Sequence, residues 1–151
     1  MTDLHHYKAC GLDNVWLVNG FEVRNTTYGE TVSYFDIDGL HSVIGKTIAK
    51  DTSPLSPKEF RFLRREMDLT QKSVAAIFEV AELTVGRWER GTTNIPGAAA
   101  AALRMLYLGF CDHGEIKDAV DRLAQLDKAL ETPEARIFAV HADNWRFDEA
   151  A

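Results

Sequence analysis

The segment 69–91, which reads LTQKSVAAIFEVAELTVGRWERG, constrains the fold of this chain more than any other. Thr70 is typical of the residue that begins a helix, and Gly91 is typical of the residue that follows one. Between them, residues 79–81 interrupt a helical spacing of apolar positions, which are Val74, Ala75, Phe78, Val85 and Trp88. A connection this short turns the second helix steeply across the first. The segment therefore predicts a helix–turn–helix with polar side chains on the outer side of the second helix.

The residues around this segment predict further helices. The run SPKE at 56–59 combines a capping box with a proline at the first helical position, and Pro96 opens a later helix. The apolar residues of these two helices recur at helical spacing, and they are Phe60, Leu63, Met67, Leu103, Leu106 and Tyr107. Residues 50–57 contain two prolines and form the expected linker. We therefore expect a helical domain over residues 53–110.

The first third of the chain, residues 1–52, predicts a small β-hairpin-rich domain. Runs of β-branched and aromatic residues at 15–18 and 21–24 flank Asn19-Gly20, the strongest two-residue hairpin signal. Asp38 is then placed to cap a helix whose apolar stripe comprises Leu40, Val43, Ile44 and Ile48.

The last third, residues 111–151, predicts one helix and a C-terminal hairpin. Residues 115–130 repeat apolar side chains at intervals of three and four, a seam that comprises Ile116, Ala119, Leu123, Leu126 and Leu130. Residues 136–140 and 145–147 are expected to form two short strands that turn at Asp143-Asn144, although a helix over the first run is an alternative. The three regions together predict an α+β fold.

The distribution of charge indicates which surface meets an anionic partner. The net charge of −6 argues against a general nucleic-acid coat protein. Residues 53–110 nevertheless hold eight basic and six acidic residues, a net charge of +2, against −3 for residues 1–52 and −5 for residues 111–151. If the chain meets phosphates, we expect it to do so through the region that contains the helix–turn–helix.

Other features of the sequence bear on localisation. No run of about 18 apolar residues is present, and the N-terminus lacks the basic-then-apolar pattern of a secretion signal. Cys10 and Cys111 form neither a CxxC pair nor a disulfide framework, which suits a reducing cytosol. We therefore expect a cytoplasmic protein without a membrane partner.

Neither a metal site nor an active site is expected. The residues that invite a zinc hypothesis are His5, His6, Cys10, Cys111 and His113. Structural zinc sites use four ligands in paired close spacings, and these residues lack that spacing. Asp36 and Asp38 flank a helix start, where acidic residues serve as caps. Since no nucleophile lies near a base in the sequence and no glycine-rich phosphate loop is present, we expect no cofactor and no enzymatic activity.

The segment 69–91 resembles the helix–turn–helix of the lambda-repressor-like, or XRE, class of DNA-binding domains. The residues that it shares with that class are Thr70-Gln71, Val74-Ala75, Val80, Thr84-Val85 and the run from Arg87 to Gly91. The resemblance covers about residues 55–110 and implies a five-helix lambda-repressor-like helix–turn–helix domain. It also implies sequence-specific binding of double-stranded DNA.

The resemblance implies roles for individual side chains. The residues that match base-facing positions of the second helix are Glu82, Leu83 and Arg87. Of these, Arg87 has the chemistry to bind guanine through two hydrogen bonds. Gln71 matches a phosphate contact at the N-terminus of the first helix, where the helix dipole also favours an anion. The remaining candidates for contacts with the DNA backbone are Thr84, Arg90, Thr92 and Thr93.

The resemblance also identifies residues with an expected structural role and positions that differ from the pattern of the class. Arg64 and Glu89 match a pair that forms an internal salt bridge in several relatives, and we expect Trp88 to face the core. Three positions depart from the pattern of the class, and they are Glu79 at the turn, Ala81 at the helix cap and Gly86 within the second helix. The first imposes backbone strain or a changed turn, and the other two each lower helix stability by about 1 kcal/mol.

These features lead to the expectation of a transcriptional regulator, a repressor that reads a palindromic operator through residues 82–90. A homodimer is expected because one recognition helix reads only a few base pairs. The interface is expected at the seam over 116–130, with the N-terminal hairpin domain as the alternative.

Two other functions remain open at this stage. Residues 7–23, followed by a domain of this class, resemble more weakly the MqsA-type antitoxins without their zinc ligands, since only Cys10 matches a CxxC pattern. An antitoxin-like protein would neutralise a toxin through its N-terminal domain and use DNA binding to regulate its own operon. A helix–turn–helix that serves only as a protein-docking surface is the third reading, and it predicts no salt-dependent DNA binding.

Overall fold

The computed structural model describes residues 3–112, 114–125 and 135–148. These residues form six helices and three antiparallel sheets of two strands each, which confirms the α+β fold. Within them, no helix combines the length and the apolar character that crossing a membrane requires.

The N-terminal strands pair differently from the sequence prediction. β1 (His5–His6) pairs with β2 (Trp16–Leu17), and β3 (Phe21–Thr26) pairs with β4 (Gly29–Tyr34). The prediction of a hairpin at Asn19-Gly20 is therefore wrong, because the strands on either side of this dipeptide do not pair with each other. The β3–β4 ladder aligns six residue pairs, whereas β2 has only two residues, so the longer ladder determines the pairing.

The first helix joins this region to the rest of the molecule. α1 (Ile37–Lys50) is capped by Asp36, whose carboxylate accepts from the N–H of Gly39, and not by Asp38, which lies in the first turn. α1 packs against two later helices, α2 (Pro57–Glu66) and α5 (Gly97–Asp112). Gly45 is needed there, because a β-carbon on it would lie 2.1 Å from the Tyr107 hydroxyl oxygen.

The middle of the chain follows the predicted order of helices. α2 begins with the expected capping box at Ser56 and Glu59. The next helices are α3 (Gln71–Phe78), α4 (Glu82–Arg90), α5 and α6 (Gly114–Gln125). Their shared core consists of side chains with almost no exposure, and it includes Phe60, Leu63, Val74, Val85, Leu103, Tyr107 and Val120.

The core does not stop at the domain boundaries that we expected. One cluster of buried side chains extends from Leu12 in the N-terminal loop, through Ile48 of α1, to Val120 of α6. The three predicted domains therefore share one core, because buried side chains on both sides of residues 52 and 110 pack together. Whether each domain folds by itself stays a prediction.

The C-terminal third contains the predicted helix and hairpin. Within α6, Val120 is buried against the core, whereas Ile116 of the predicted seam is more than one-third exposed. The seam residues Leu126 and Leu130 lie outside the described residues. β5 (Phe138–His141) pairs with β6 (Asn144–Phe147), so the alternative of a helix over this run is wrong. The turn lies one residue earlier than expected, at Ala142-Asp143, where both residues have positive φ.

Candidate nucleic-acid interface

The turn between α3 and α4 is built without the glycine of the resembled class. Glu79 ends α3 in the left-handed backbone conformation, at φ 57° and ψ 43°, which non-glycine residues rarely adopt. The N–H of Val80 donates to the Ala75 carbonyl at 3.0 Å and closes the end of the helix. The expectation that Glu79 accepts a strained backbone is therefore confirmed, and the turn keeps its short form.

The two ends of α4 are stabilised unequally. Ala81 has the extended backbone of a cap residue but makes no side-chain hydrogen bond to the helix, as expected for alanine. At the other end, Gly91 adopts φ 74°, and both the N–H and the hydroxyl of Thr92 donate to the Arg87 carbonyl, at 3.1 and 3.2 Å. The C-terminal turn of α4 is thus well ordered by its own residues.

The inner face of α4 anchors the helix in the core. Val85 is fully buried, and the buried Trp88 ring meets Phe60 of α2 edge-on, with ring centroids 5.7 Å apart. The expectation that Trp88 faces inward is confirmed. Because Val85 and Trp88 set which side of α4 packs against the core, they also set which side of the helix faces outward.

A buried ion pair holds α4 against α2. Arg64 donates through Nε and Nη2 to the two carboxylate oxygens of Glu89, at 2.8 and 2.7 Å, and through Nη1 to the Leu69 carbonyl at 2.8 Å. The side chains are only 9% and 3% exposed. The expected internal salt bridge is confirmed, so neither charge is available to DNA.

The outer face of α4 carries the predicted base-contacting residues. Glu82, Leu83 and Arg87 are all exposed, and Leu83 is 57% exposed although it is apolar. A single exposed leucine is common on protein surfaces, and here it lies on the same face as Arg87.

Gln71 and Arg90 converge over Gly86. A β-carbon on Gly86 would lie 3.0 Å from Arg90 Nη1 and 3.5 Å from Gln71 Oε1. The absent side chain therefore lets the amide and the guanidinium lie together at the junction of α3 and α4. Sequence reasoning treated Gly86 only as a loss of helix stability, since nothing in the sequence indicates that residues 71 and 90 meet there.

The three threonines that were expected at the DNA backbone occupy different settings. Thr84 is half-buried, whereas Thr92 and Thr93 are exposed in the loop after α4. The Thr92 hydroxyl already donates to α4, which leaves only its lone pairs for a further contact.

A cleft of about 470 Å³ lies beside the C-terminal end of α4, and its lining includes the basic residues Lys58 and Arg90 and the acidic residues Asp13, Glu59 and Glu89. Lys58 forms a hydrogen-bonded ion pair with Asp13, and this pair lowers the pKa of the Asp13 carboxyl. Because the three carboxylates outnumber the two cations, the cleft itself does not favour a phosphate.

Three residues of the zinc hypothesis, His5, His6 and Cys10, form hydrogen bonds with other groups of the N-terminal region. His5 Nε2 lies 3.0 Å from the Tyr34 hydroxyl, and His6 Nε2 lies 2.6 Å from the Asp13 carbonyl. Cys10 Sγ donates to the Tyr7 carbonyl. Across the described ranges, no three His, Cys, Asp or Glu side chains are grouped so as to hold a metal ion. His113 lies outside those ranges.

Comparisons of this chain with protein families, with curated proteins and with solved structures found no match.

Proposed function

We propose that this protein is a sequence-specific double-stranded DNA-binding regulator of the lambda-repressor-like class, which represses transcription as a cytoplasmic homodimer. The observation that carries the proposal is the division of α4 into two faces. Val85 and Trp88 fix one face in the core, and Glu82, Leu83 and Arg87 extend from the other into solvent. A helix held this way after a tight turn fits the major groove, which admits one α-helix.

Each exposed side chain of α4 has a chemical counterpart on the edge of a base pair. Arg87 would donate two hydrogen bonds to O6 and N7 of guanine, and Glu82 would accept from N4 of cytosine. Leu83, which is exposed, would contact the methyl group of thymine.

The DNA backbone would be held at the rim of the same face. Gln71 lies at the first position of α3, where backbone N–H groups and the helix dipole favour a phosphate. The Arg90 guanidinium approaches Gly86 from nearby, so Arg90 would bind a phosphate on the same side of α4. The exposed Thr93 and the half-buried Thr84 would add weaker contacts.

The test compares two arginine variants that remove the same charge. Arg87→Ala should cost about 1–3 kcal/mol on the best site and relax the preference at one base position. Arg24→Ala removes an exposed arginine of β3, and it should change neither affinity nor preference. An unchanged base preference in Arg87→Ala would show that Arg87 does not contact bases. Equal losses of affinity in both variants would show that binding depends only on the net charge of the protein.

Gln71→Ala separates the backbone role from base reading. It should weaken binding to all duplexes by a similar factor, because phosphates carry no sequence information. A loss confined to particular sequences would contradict the phosphate role of Gln71.

A second candidate function, neutralisation of a toxin through the N-terminal region, is favoured by an apolar groove. This groove of about 390 Å³ lies between the strands and α1, and its lining includes Leu17, Phe35, Leu40 and Val43. Phe35 and Val43 are exposed there, an arrangement typical of a surface that binds another protein.

Co-expression with the product of an adjacent toxic gene tests this candidate. Phe35→Asp should abolish protection from toxicity, whereas Tyr28→Asp, at the fully exposed tip of the β3–β4 hairpin, should preserve it. Protection that survives Phe35→Asp, or the absence of any such neighbour, would leave the regulator function alone.

A further inference from the structure

The C-terminal hairpin of β5 and β6 has one entirely apolar face. Phe138 lies opposite Phe147, and Val140 lies opposite Trp145. Because side chains alternate along a strand, these four residues share one face of the hairpin. The other face carries Ala139, His141, Asn144 and Arg146.

The four apolar side chains of this face are exposed in the single chain. Trp145 is 75% exposed, and the other three are each more than half exposed. The Phe138 and Phe147 rings meet edge-on, with centroids 5.7 Å apart. Two of the four side chains therefore pack against each other within the single chain. A two-stranded hairpin by itself is marginally stable in water, and an apolar face of this kind normally packs against a further surface.

We infer that this face is the dimer interface and that it packs against the same face of a second copy of the chain. The inference rests on the proposed function for its purpose, because two recognition helices must be joined to read a palindrome. It names a different surface from the seam over 116–130 and from the N-terminal region.

The chemistry of the face fits a second copy better than a different partner. The four side chains carry no charge, so a two-fold axis through the face brings apolar groups together without placing like charges opposite each other. The hairpin and its flanking residues, 135–148, contain two arginines and two aspartates, so they carry no net charge that would repel a second copy. A two-fold axis also lets Trp145 of each copy lie on the aromatic rings of the other.

The area of the face is sufficient for a specific dimer. Exposed aromatic side chains present about 150–250 Å² each, so the four residues, at their fractional exposures, offer about 500 Å². Two copies would bury about 1,000 Å² in total, which is the lower limit for a biological interface. A patch of about 500 Å² falls in the range of the largest apolar patch on a typical monomer, and such patches often serve a function.

Sedimentation of the full-length chain without DNA tests the inference. The wild-type chain should sediment with twice the mass of the 151-residue polypeptide. Trp145→Glu should raise the dimer Kd at least about 30-fold, which corresponds to about 2 kcal/mol at an interface hot spot. Arg146→Glu places the same residue one position further along β6 on the polar face, and it should change the Kd less than about threefold.

A milder variant controls for the possibility that Trp145→Glu unfolds the hairpin. Val140→Thr keeps the β-branched shape that suits a strand and replaces one methyl group by a hydroxyl, which an apolar interface would have to desolvate, so it should weaken the dimer severalfold. A monomeric wild-type chain, a dimer that survives Trp145→Glu, or equal effects of Trp145→Glu and Arg146→Glu would each overturn the inference.

Binding to duplex DNA, measured separately, keeps this inference distinct from the proposed function. A chain that dimerises through the hairpin but binds no duplex would retain the inference and refute the function. A chain that binds DNA while Trp145→Glu remains dimeric would do the reverse. Raising the salt concentration from about 50 to 200 mM should weaken DNA binding by orders of magnitude and leave the apolar dimer intact.

Discussion

Removal of Arg64 should destabilise this protein far more than removal of an exposed arginine. In Arg64→Met, the Glu89 carboxylate, which is 3% exposed, loses both of its charged hydrogen bonds and remains buried. The Leu69 carbonyl loses its donor as well. A buried charge without its partner costs about 3–5 kcal/mol, and we expect a loss of that size in the free energy of unfolding.

Urea unfolding followed by circular dichroism measures this loss. The free energy of unfolding of small proteins falls by about 2 kcal/mol per molar urea, so the unfolding midpoint should fall by about 2 M urea. Arg24→Met is the matched control, because Arg24 forms its ion pair with Glu22 at the surface, with side chains 69% and 63% exposed. An exposed pair contributes at most about 1 kcal/mol, so the midpoint should hardly move.

The double variant Arg64→Met/Glu89→Leu identifies the cause. Since it leaves no unpaired charge in the core, it should recover most of the stability that Arg64→Met loses. If Arg64→Met were no more harmful than Arg24→Met, or if the double variant were as unstable as the sum of its parts, the structural role of this pair would be refuted.

Three further predictions concern the same helical core. Trp88→Ala should cost about 3–5 kcal/mol of unfolding free energy, because the ring is buried against Phe60; a stable variant that has lost only DNA binding would contradict this. Ala81→Ser should stabilise the protein by about 1 kcal/mol by supplying the missing cap of α4, which thermal unfolding would detect. Burial and the hydrogen bond with the Cys111 thiol raise the pKa of Tyr107 above its ordinary 10.0. Since a raised pKa in the folded state contributes stability that is lost as pH rises past the unfolded value, the Tm should fall more steeply above about pH 10 in the wild type than in Tyr107→Phe.

The helical part of the fold was predictable because its signals are local. Thr70, the capping box at Ser56 and Glu59, and Gly91 each act within one turn of a helix, and the structure uses all of them. The inward direction of Trp88 followed from the spacing of apolar residues over a few turns.

The N-terminal pairing and the register of the C-terminal hairpin were harder to predict. Asn19-Gly20 is a strong local signal, but strand pairing depends on the whole ladder, and the six pairs of β3 and β4 outweigh it. The predicted turn at Asp143-Asn144 would have placed Val140 opposite Phe147, whereas the structure places it opposite Trp145. Since this difference shifts the register by two residues, Phe138, Val140, Trp145 and Phe147 share one face in either case.

The candidate site was predictable in its residue types and not in its assembly. The positions of Glu82, Leu83 and Arg87 on the outer face follow from helix geometry once Val85 and Trp88 point inward. The meeting of Gln71 with Arg90 over Gly86 depends on how closely α3 approaches α4, which only the packed structure reveals.

Selection of bound fragments from random duplex DNA, with the purified full-length protein, is the most direct test of the proposal that α4 reads base edges. We predict enrichment of an inverted repeat whose half-sites lie about one turn of DNA apart, each containing a guanine whose selection is lost in Arg87→Ala. A pool that stays random after repeated selection, or an enriched motif that Arg87→Ala leaves unchanged, would contradict it.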